Sequence, residues 1–540
     1  MKRVLAMLLT AVLLLFALPF AGAAFTDADK IAEGHREAVE YISEKKVISG
    51  FPDGSFQPQG TLTRAQAAKI LCAALEGADK AEALTKTETG FSDVPASHWA
   101  AKFIAWCVDK GIAAGVGNGK FDPDGLLTAA AFSKMLLVAY GKAKAEDLVG
   151  KDWLLNTQKA LRADNMKEGV DNVGNTPTTR ENACHLVYNF YKVGEIERAD
   201  PEKYKQTTIA FADGKNYRLL GRAKQTAEGV LCDFSGDGVE FTLDCKGTVL
   251  VNWYTDTVGS WEYEAFRVLV DGTPGKRMSL TAAGDSEKEA FLRVMPGVHT
   301  IRIVKEREVA SATNLLKSMT VACAQESMQA TQQRPKLLVS IGDSTSAGYG
   351  TDITDTPNST KNSCSSVFNY TNLVAETLNM DYEMIVKGTT GLIRTHGSPT
   401  PHNQREIFEY QNLYRDEKAI QDGKRTGEPE RYSFARKADA VILKISNNDN
   451  KQPKDQEEAA LRAMIARLRE LYGEKLPIAL IFFGSNTHVE TADKIAAEDP
   501  LVVCVRGVHD GKGMGKHTSA ATHVKMAERL VDALKPLMGN

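Results

Sequence analysis

The chemistry of this chain is concentrated in its C-terminal third, where small polar groups follow apolar runs. Ser344 lies in Ile341–Gly350 (IGDSTSAGYG), directly after the run Lys336–Ser340. A serine hydroxyl is a weak nucleophile without a base and needs exposure at a sharp turn, which the rim of a sheet provides. Gly388–Thr389–Thr390–Gly391 follows a second run. Glycine there lets a backbone N–H approach a developing oxyanion. Ser446–Asn447–Asn448–Asp449 follows a third, where the Asn448 amide can add a donor. His509 and His517 come last, and either can serve as the base. Asp343 reads as a turn-stabilising residue, not a catalytic acid.

These groups need a sheet to position them. Leu337–Ile341, Tyr382–Val386, Ala438–Ile445, Pro477–Phe483 and Leu501–Val505 are apolar enough for buried strands. Helical periodicity lies between them, most plainly over 455–473 and from Ala520 onward. Five such strands predict a parallel sheet covered on both faces, an α/β/α three-layer domain. Function in open sheets of this kind gathers past the strand C-termini.

The order strand–GDS, strand–glycine, strand–asparagine, late histidine resembles the SGNH/GDSL hydrolase superfamily over residues 335–540. The resemblance implies Ser344 as nucleophile. It implies an oxyanion hole made by the Ser344 N–H, the Gly391 N–H and the Asn448 side chain. His517, in His517–Thr518–Ser519, corresponds to the family's base, with His509 as the rival; His523 falls inside a helix and reads as structural. The third block keeps only Asn448–Asp449 of the family's pattern. Met514 and Gly515 stand where an acid would precede the histidine, so a Ser–His dyad is expected. The implied reaction is acyl transfer, requiring no metal or cofactor. The alternatives are a catalytically inactive glycan-binding homologue, or an SGNH esterase acting on other acyl esters.

Residues 204–325 change to short β segments at 239–245, 248–254, 264–272, 290–295 and 299–306. Alternation with Asp/Gly turns predicts an antiparallel sandwich, with Trp253 and Trp261 as core residues. Leu220–Gly221–Arg222, Val270–Asp271–Gly272 and Gly297–Val298–His299 resemble the jelly roll of carbohydrate esterase family 2. Paired with the following domain, this implies removal of O-acetyl groups from a carbohydrate.

The N-terminal part repeats itself. VEYISEKKVISGFPDGSFQP (39–58) aligns with IAWCVDKGIAAGVGNGKFDP (104–123), so that Gly50 matches Gly115 and Phe56 matches Phe121. Each unit is a helix, a glycine-punctuated turn and a second helix opened by threonine. Phe25–Thr26–Asp27, Phe91–Ser92–Asp93 and His98–Trp99–Ala100 make these resemble S-layer homology repeats at 24–80 and 88–142. A degenerate third follows at 146–195, with Gly169 in its turn. The resemblance implies an all-α unit that binds a secondary polysaccharide of the cell wall. Arg64 and Arg180 are the candidate glycan contacts, since an arginine fork at a helix N-terminus suits an anionic sugar. Ala129 takes that place in unit two.

Lys2–Arg3, the apolar run Val4–Phe20 and Ala21–Gly22–Ala23 predict a cleaved signal peptide at 1–23, hence an exported protein of the cell surface with no membrane span after cleavage. At 540 residues the chain needs several domains. A net charge of −3 with both signs mixed gives no footprint for nucleic acid. The eight cysteines show no metal spacing. Cys72, Cys107 and Cys184 read as buried hydrophobes, and Cys232 with Cys245 as a conceivable bridge between strands.

Overall fold

The computed structural model describes residues 25–539 apart from 164–165, 257–263, 280–282, 309–312, 352–363, 395–401, 445–446, 450–451, 484–488, 508 and 513–516. The expected leader, Trp261, Ser446, Met514 and Gly515 lie outside the described residues. The chain divides into two units, Met1–Arg198 and Ala199–Asn540.

The first unit is built on α1 (Arg36–Glu44), α2 (Arg64–Glu76), α3 (Ala101–Asp109), α4 (Ala129–Ala139), α5 (Trp153–Ala163) and α6 (Arg180–Arg198). Thr63 and Thr128 cap α2 and α4, their side chains accepting the N–H groups of Gln66 and Ala131. The Phe-x-Asp pairs have a physical role. Asp27 accepts the N–H groups of Phe56 (2.6 Å) and Gln57 (2.9 Å), and Asp93 those of Phe121 (2.9 Å) and Asp122 (2.8 Å). Gln57 and Asp122 have φ of 56° and 59°, so each carboxylate steadies a left-handed turn. A β-carbon at Gly50 would sit 2.9 Å from the Phe25 ring, and one at Gly115 2.6 Å from the Phe91 ring, which is why glycine stands at both.

Three backbone bonds close the repeats into a ring: Leu62 N–H to Thr178 O (3.1 Å), Thr178 N–H to Leu127 O (3.0 Å) and Leu127 N–H to Leu62 O (2.9 Å). Phe56, Phe103, Phe121, Phe132 and Phe190 are buried in the core beneath. Among the described residues no helix is long and apolar enough to cross a membrane.

The second unit begins as an antiparallel sandwich with main strands β1 (Lys205–Ala210), β2 (Gly238–Thr255), β3 (Ala265–Val270), β4 (Gly284–Lys305) and β5 (Asn314–Cys323). The segments expected as pairs at 239–254 and 290–306 are each one long strand. β2 pairs with β4 from Gly238↔Val304 to Thr255↔Gly284, and register shifts around Gly247 absorb the interruption. Bulges of this kind bend a strand without ending it. Trp253 is fully buried, with its ring 5.3 Å from that of Phe266. The Cys232–Cys245 bridge is not formed: Cys245 lies opposite Cys323, and the thiols are free.

The rest of the unit carries β6 (Lys336–Gly342), β7 (Met380–Val386), β8 (Ala440–Lys444), β9 (Ile478–Phe483) and β10 (Val502–Gly507). All are parallel, in the order β7–β6–β8–β9–β10. Alternate residues of β8 face opposite cores. Val441 and Leu443 pack in the layer of Leu461, Met464 and Leu468 from α8 (Lys454–Tyr472). Ala440 and Ile442 join Val374 of α7 (Tyr370–Thr377) and Met526 and Leu530 of α9 (Ala520–Leu534). Arg222 fastens the sandwich to this layer. Buried, it donates to Glu383 (3.0 Å) and to the Phe408 carbonyl (2.7 Å), and its guanidinium lies 3.8 Å from the Tyr432 ring centre.

Candidate active site

The strand order reverses direction at β6, and the crevice between the C-terminal ends of β6 and β8 is the switch point where ligands bind in such sheets. Ile341 pairs with Leu443 and Gly342 with Val386, which sets the loops after β6, β7 and β8 side by side. Ser344 comes two residues after β6 ends. A β-carbon at Gly342 would lie 2.0 Å from Ser346 Oγ and 2.8 Å from Lys444 Cβ, so the turn needs glycine there. Asp343 stabilises it, as expected: one oxygen accepts the Thr345 N–H at 3.0 Å, and the other lies 3.3 Å from Lys444 Nζ. Both residues are buried.

Ser344 Oγ lies 2.8 Å from His517 Nε2, within hydrogen-bond reach. His509 is exposed in the same loop. His517 is held from behind. Asp510 accepts the Ser519 N–H (3.0 Å), the Thr522 hydroxyl (2.9 Å) and the Ser519 hydroxyl, which ties the loop to the first turn of α9. His523 sits inside α9 with its ring stacked on Tyr370. Its Nδ1 accepts the Tyr370 N–H at 3.2 Å, which places the ring proton on Nε2, 3.0 Å from the Thr518 hydroxyl. Burial holds its imidazole down to about 3, with nearby Asp510 opposing and His517 reinforcing that shift. Neutral and buried, His523 is a structural residue. On its other side His517 meets the Tyr349 ring, centroids 5.4 Å apart.

The donor groups after β7 and β8 meet each other. Asn448 Nδ2 donates to the Thr390 carbonyl at 3.0 Å. Buried Asp449 accepts the N–H groups of Leu392 (2.6 Å), Ile393 (3.2 Å) and Arg394 (3.3 Å). A β-carbon at Gly391 would fall 2.4 Å from that carboxylate, which explains the glycine. The Gly391 N–H, expected to face an oxyanion, here donates to the Arg394 carbonyl at 2.7 Å, in the tight loop that Asp449 holds.

Lys444, Tyr349 and Asp510 escaped the sequence reading, as did the role of Asp449 in holding the Gly391 loop. Lys444 alone had a local signal, a cation inside an otherwise apolar strand.

In the helical unit, Arg64 donates from Nε to Phe121 O and from Nη2 to Ala114 O, both at 2.8 Å. Arg180 donates likewise to Phe56 O (2.7 Å) and Ser49 O (2.8 Å). Each fork, expected to face a sugar, therefore also clamps the turn of the next repeat. Trp99 beside His98 is 54% exposed, so it is not a core residue.

The second unit is thus a five-stranded parallel sheet with a serine–histidine contact at its switch point, preceded by an antiparallel sandwich. The comparisons agree. Two solved structures share the fold with TM-scores of 0.52: a family two carbohydrate esterase from Cellvibrio japonicus (17% identity, 62% of this chain, 98% of that one) and an acetyl xylan esterase from the rumen bacterium Butyrivibrio proteoclasticus (19% identity, 61% and 98%). At those identities the likeness concerns the fold.

The S-layer homology domain family matches residues 24–68 and 90–132. Among curated relatives, Cell surface glycoprotein 1 of Acetivibrio thermocellus is 36% identical over 19% of this chain and 4% of its own length. The Surface-layer 125 kDa protein of Lysinibacillus sphaericus is 27% identical over 49% and 24%. The chain thus spans no more than about a quarter of either relative. It carries S-layer homology repeats and is a cell-surface, cell-wall-associated protein.

Proposed function

We propose that this protein is a wall-held serine esterase that removes O-acetyl groups from a carbohydrate. The observation that carries the reading is the 2.8 Å approach of Ser344 Oγ to His517 Nε2 at the switch point of the sheet. His517 Nε2 takes the hydroxyl proton as Oγ attacks the ester carbonyl carbon. The tetrahedral oxyanion is met by the Ser344 N–H and the Asn448 amide. Gly391 adds a third donor if its N–H exchanges the Arg394 carbonyl for the substrate oxygen. His517 then protonates the departing sugar oxygen, and water, deprotonated by the same imidazole, releases acetate from Ser344. The shared fold of the two esterases supports the acetyl and carbohydrate parts of the reading.

The helical unit anchors the enzyme. The edges between each α-helix start and the next repeat's turn, with half-buried Arg64 and exposed Trp99, offer cationic and aromatic contacts suited to an acidic wall polysaccharide, while buried Arg180 holds the turn that frames its edge.

The test is hydrolysis of a chromogenic acetyl ester by the protein beside Ser344→Ala and His517→Ala. Turnover in the parent that falls at least about a thousandfold in both variants supports the dyad. Loss with Ser344→Ala alone moves the base role to another residue, His509 first. A parent that turns over neither this ester nor acetylated oligosaccharides is a glycan-binding protein instead.

A further inference from the structure

Glu308 belongs to the sandwich, just beyond β4, yet its carboxylate is engaged by the hydrolase layer. It is 3% exposed, and a carboxylate so buried requires donors. Among the described residues, two reach it from loops at the candidate site: the Tyr349 hydroxyl at 2.9 Å on Oε1 and the Gly388 N–H on Oε2. Its backbone is fixed from the sandwich side. Lys305 Nζ donates to the Arg307 carbonyl (3.0 Å) and the Glu308 carbonyl (2.8 Å), while lying 3.2 Å from Glu264. The carboxylate is therefore an immobile acceptor set between two parts of the site.

One part is the base. A carboxylate only accepts, so the Tyr349 hydroxyl must donate, and burial together with the Glu308 charge pushes that phenol far above its ordinary value. The ring so held backs the His517 imidazole at 5.4 Å between centroids. The other part is the donor side. Gly388 opens the turn whose Thr390 carbonyl holds the Asn448 amide. A β-carbon at Gly388 would lie 3.0 Å from Glu308 Oε1, a contact that glycine leaves open.

We propose that Glu308 is a positioning residue for the acyl-transfer reaction, supplied by the sandwich to hold His517 and the Asn448 turn in one geometry. This rests on the esterase reading above. The sandwich is then a working part of the active site and not a separate sugar-binding module.

The experiment compares the full chain with Glu308→Gln, Tyr349→Phe and the double variant on a chromogenic acetyl ester, with thermal midpoints alongside. Glu308→Gln keeps the shape but removes the charge and turns an amide NH2 toward one of the two donors. Its kcat should fall between about 10- and 100-fold with KM within about twofold of the parent, since misplacement of reacting groups acts on the chemical step. Tyr349→Phe, which removes one hydroxyl only, should lower kcat about tenfold and cost little further in the Glu308→Gln background. A folded Glu308→Gln protein with parental kcat overturns the proposal. So does a loss of activity that only follows the fraction unfolded, or additive effects of the two substitutions. Should Glu308→Gln fail to fold, Tyr349→Phe decides by the same kcat criterion. A parent without turnover is a different result: it removes the esterase reading itself, and the positioning role with it.

Discussion

Arg180 donates from Nε to the Phe56 carbonyl at 2.7 Å, joining the second helix of the third repeat to the turn of the first. Arg64 makes the equivalent bond from the first repeat to Phe121 of the second at 2.8 Å. The ring stays closed at Ala129 through backbone alone, its N–H bonding the Thr176 carbonyl at 2.9 Å. Arg180 also lies over the rings of Phe51 and Phe56, 4.7 and 4.9 Å from their centres.

Arg180→Ala should therefore cost more than a surface arginine would. Two charge-assisted hydrogen bonds from a buried guanidinium predict a loss of about 3 kcal/mol, against under about 0.5 kcal/mol for an unpartnered surface site. Arg180→Lys should not restore it, because an ammonium cannot meet the Phe56 and Ser49 carbonyls in the planar fork geometry. Thermal unfolding of the three proteins checks this, and near-parental stability of the lysine variant would refute it.

Lys444 and Asp343 make a second prediction. Both are buried beneath the Ser344 turn, 3.3 Å apart. Removing one member takes an opposite charge away from a buried group, typically at about 3–5 kcal/mol. Lys444→Met should thus destabilise the protein strongly, and Lys444→Met with Asp343→Asn should recover part of the loss. A double-mutant cycle by urea unfolding measures the coupling. Additive effects would mean the pair is not an energetic unit.

What could be read along the chain was whatever depends on local pattern. Leu337–Ile341 and its four counterparts are apolar runs bounded by polar turns, and each became a parallel strand within a few residues of its expected ends. The meeting of Ser344 with His517 was legible because polar groups that follow the strands of a parallel sheet gather at one edge of it. The two long ribbons β2 and β4 were not, since Lys246–Gly247 reads as a turn and only pairing with β4 turns it into a bulge. Glu308 and the clamping role of Arg180 were invisible for a related reason. Their partners, Tyr349 and Phe56, are set by tertiary packing and leave no periodicity in the sequence. Gly391 shows a finer limit: the need for glycine was readable, while the direction of its N–H depends on Asp449 and Arg394.

His523 carries a pH prediction. Its imidazole titrates at about 3 in the folded protein because burial penalises the charged ring, against 6.5 ordinarily. Between those values the unfolded chain binds the proton and the folded one does not. Stability from this residue is thus fully present above about pH 6.5 and is lost as pH falls toward 3, by about 1.4 kcal/mol per unit. His523→Gln keeps a donor and an acceptor for Thr518 and Tyr370 without titrating. It should flatten the acid slope of the unfolding free energy relative to the parent. Identical slopes would show that the ring is already protonated when folded.

Asp510 separates two ways of holding His517, the proposed base. Burial disfavours its charge, but the hydrogen bonds from Ser519, Lys512 and Thr522 outweigh that and keep its carboxyl below the ordinary range. One oxygen accepts the N–H groups of Ser519 and Lys512, the other the hydroxyls of Ser519 and Thr522. The carboxylate thus acts as a cap on the first turn of α9 and reaches His517 through the backbone of Thr518 and Ser519. An acid that oriented the imidazole directly would cost about 10⁴ in kcat when made an amide. A cap predicts a smaller effect, a loss of about 1–2 kcal/mol in stability and roughly tenfold in kcat for Asp510→Asn. Ser519→Ala, which removes one of the same bonds, should move both quantities in the same direction by less. If Asp510→Asn instead abolishes turnover while leaving the thermal midpoint in place, Asp510 is the third member of the catalytic group, and the proposed Ser344–His517 dyad becomes a triad.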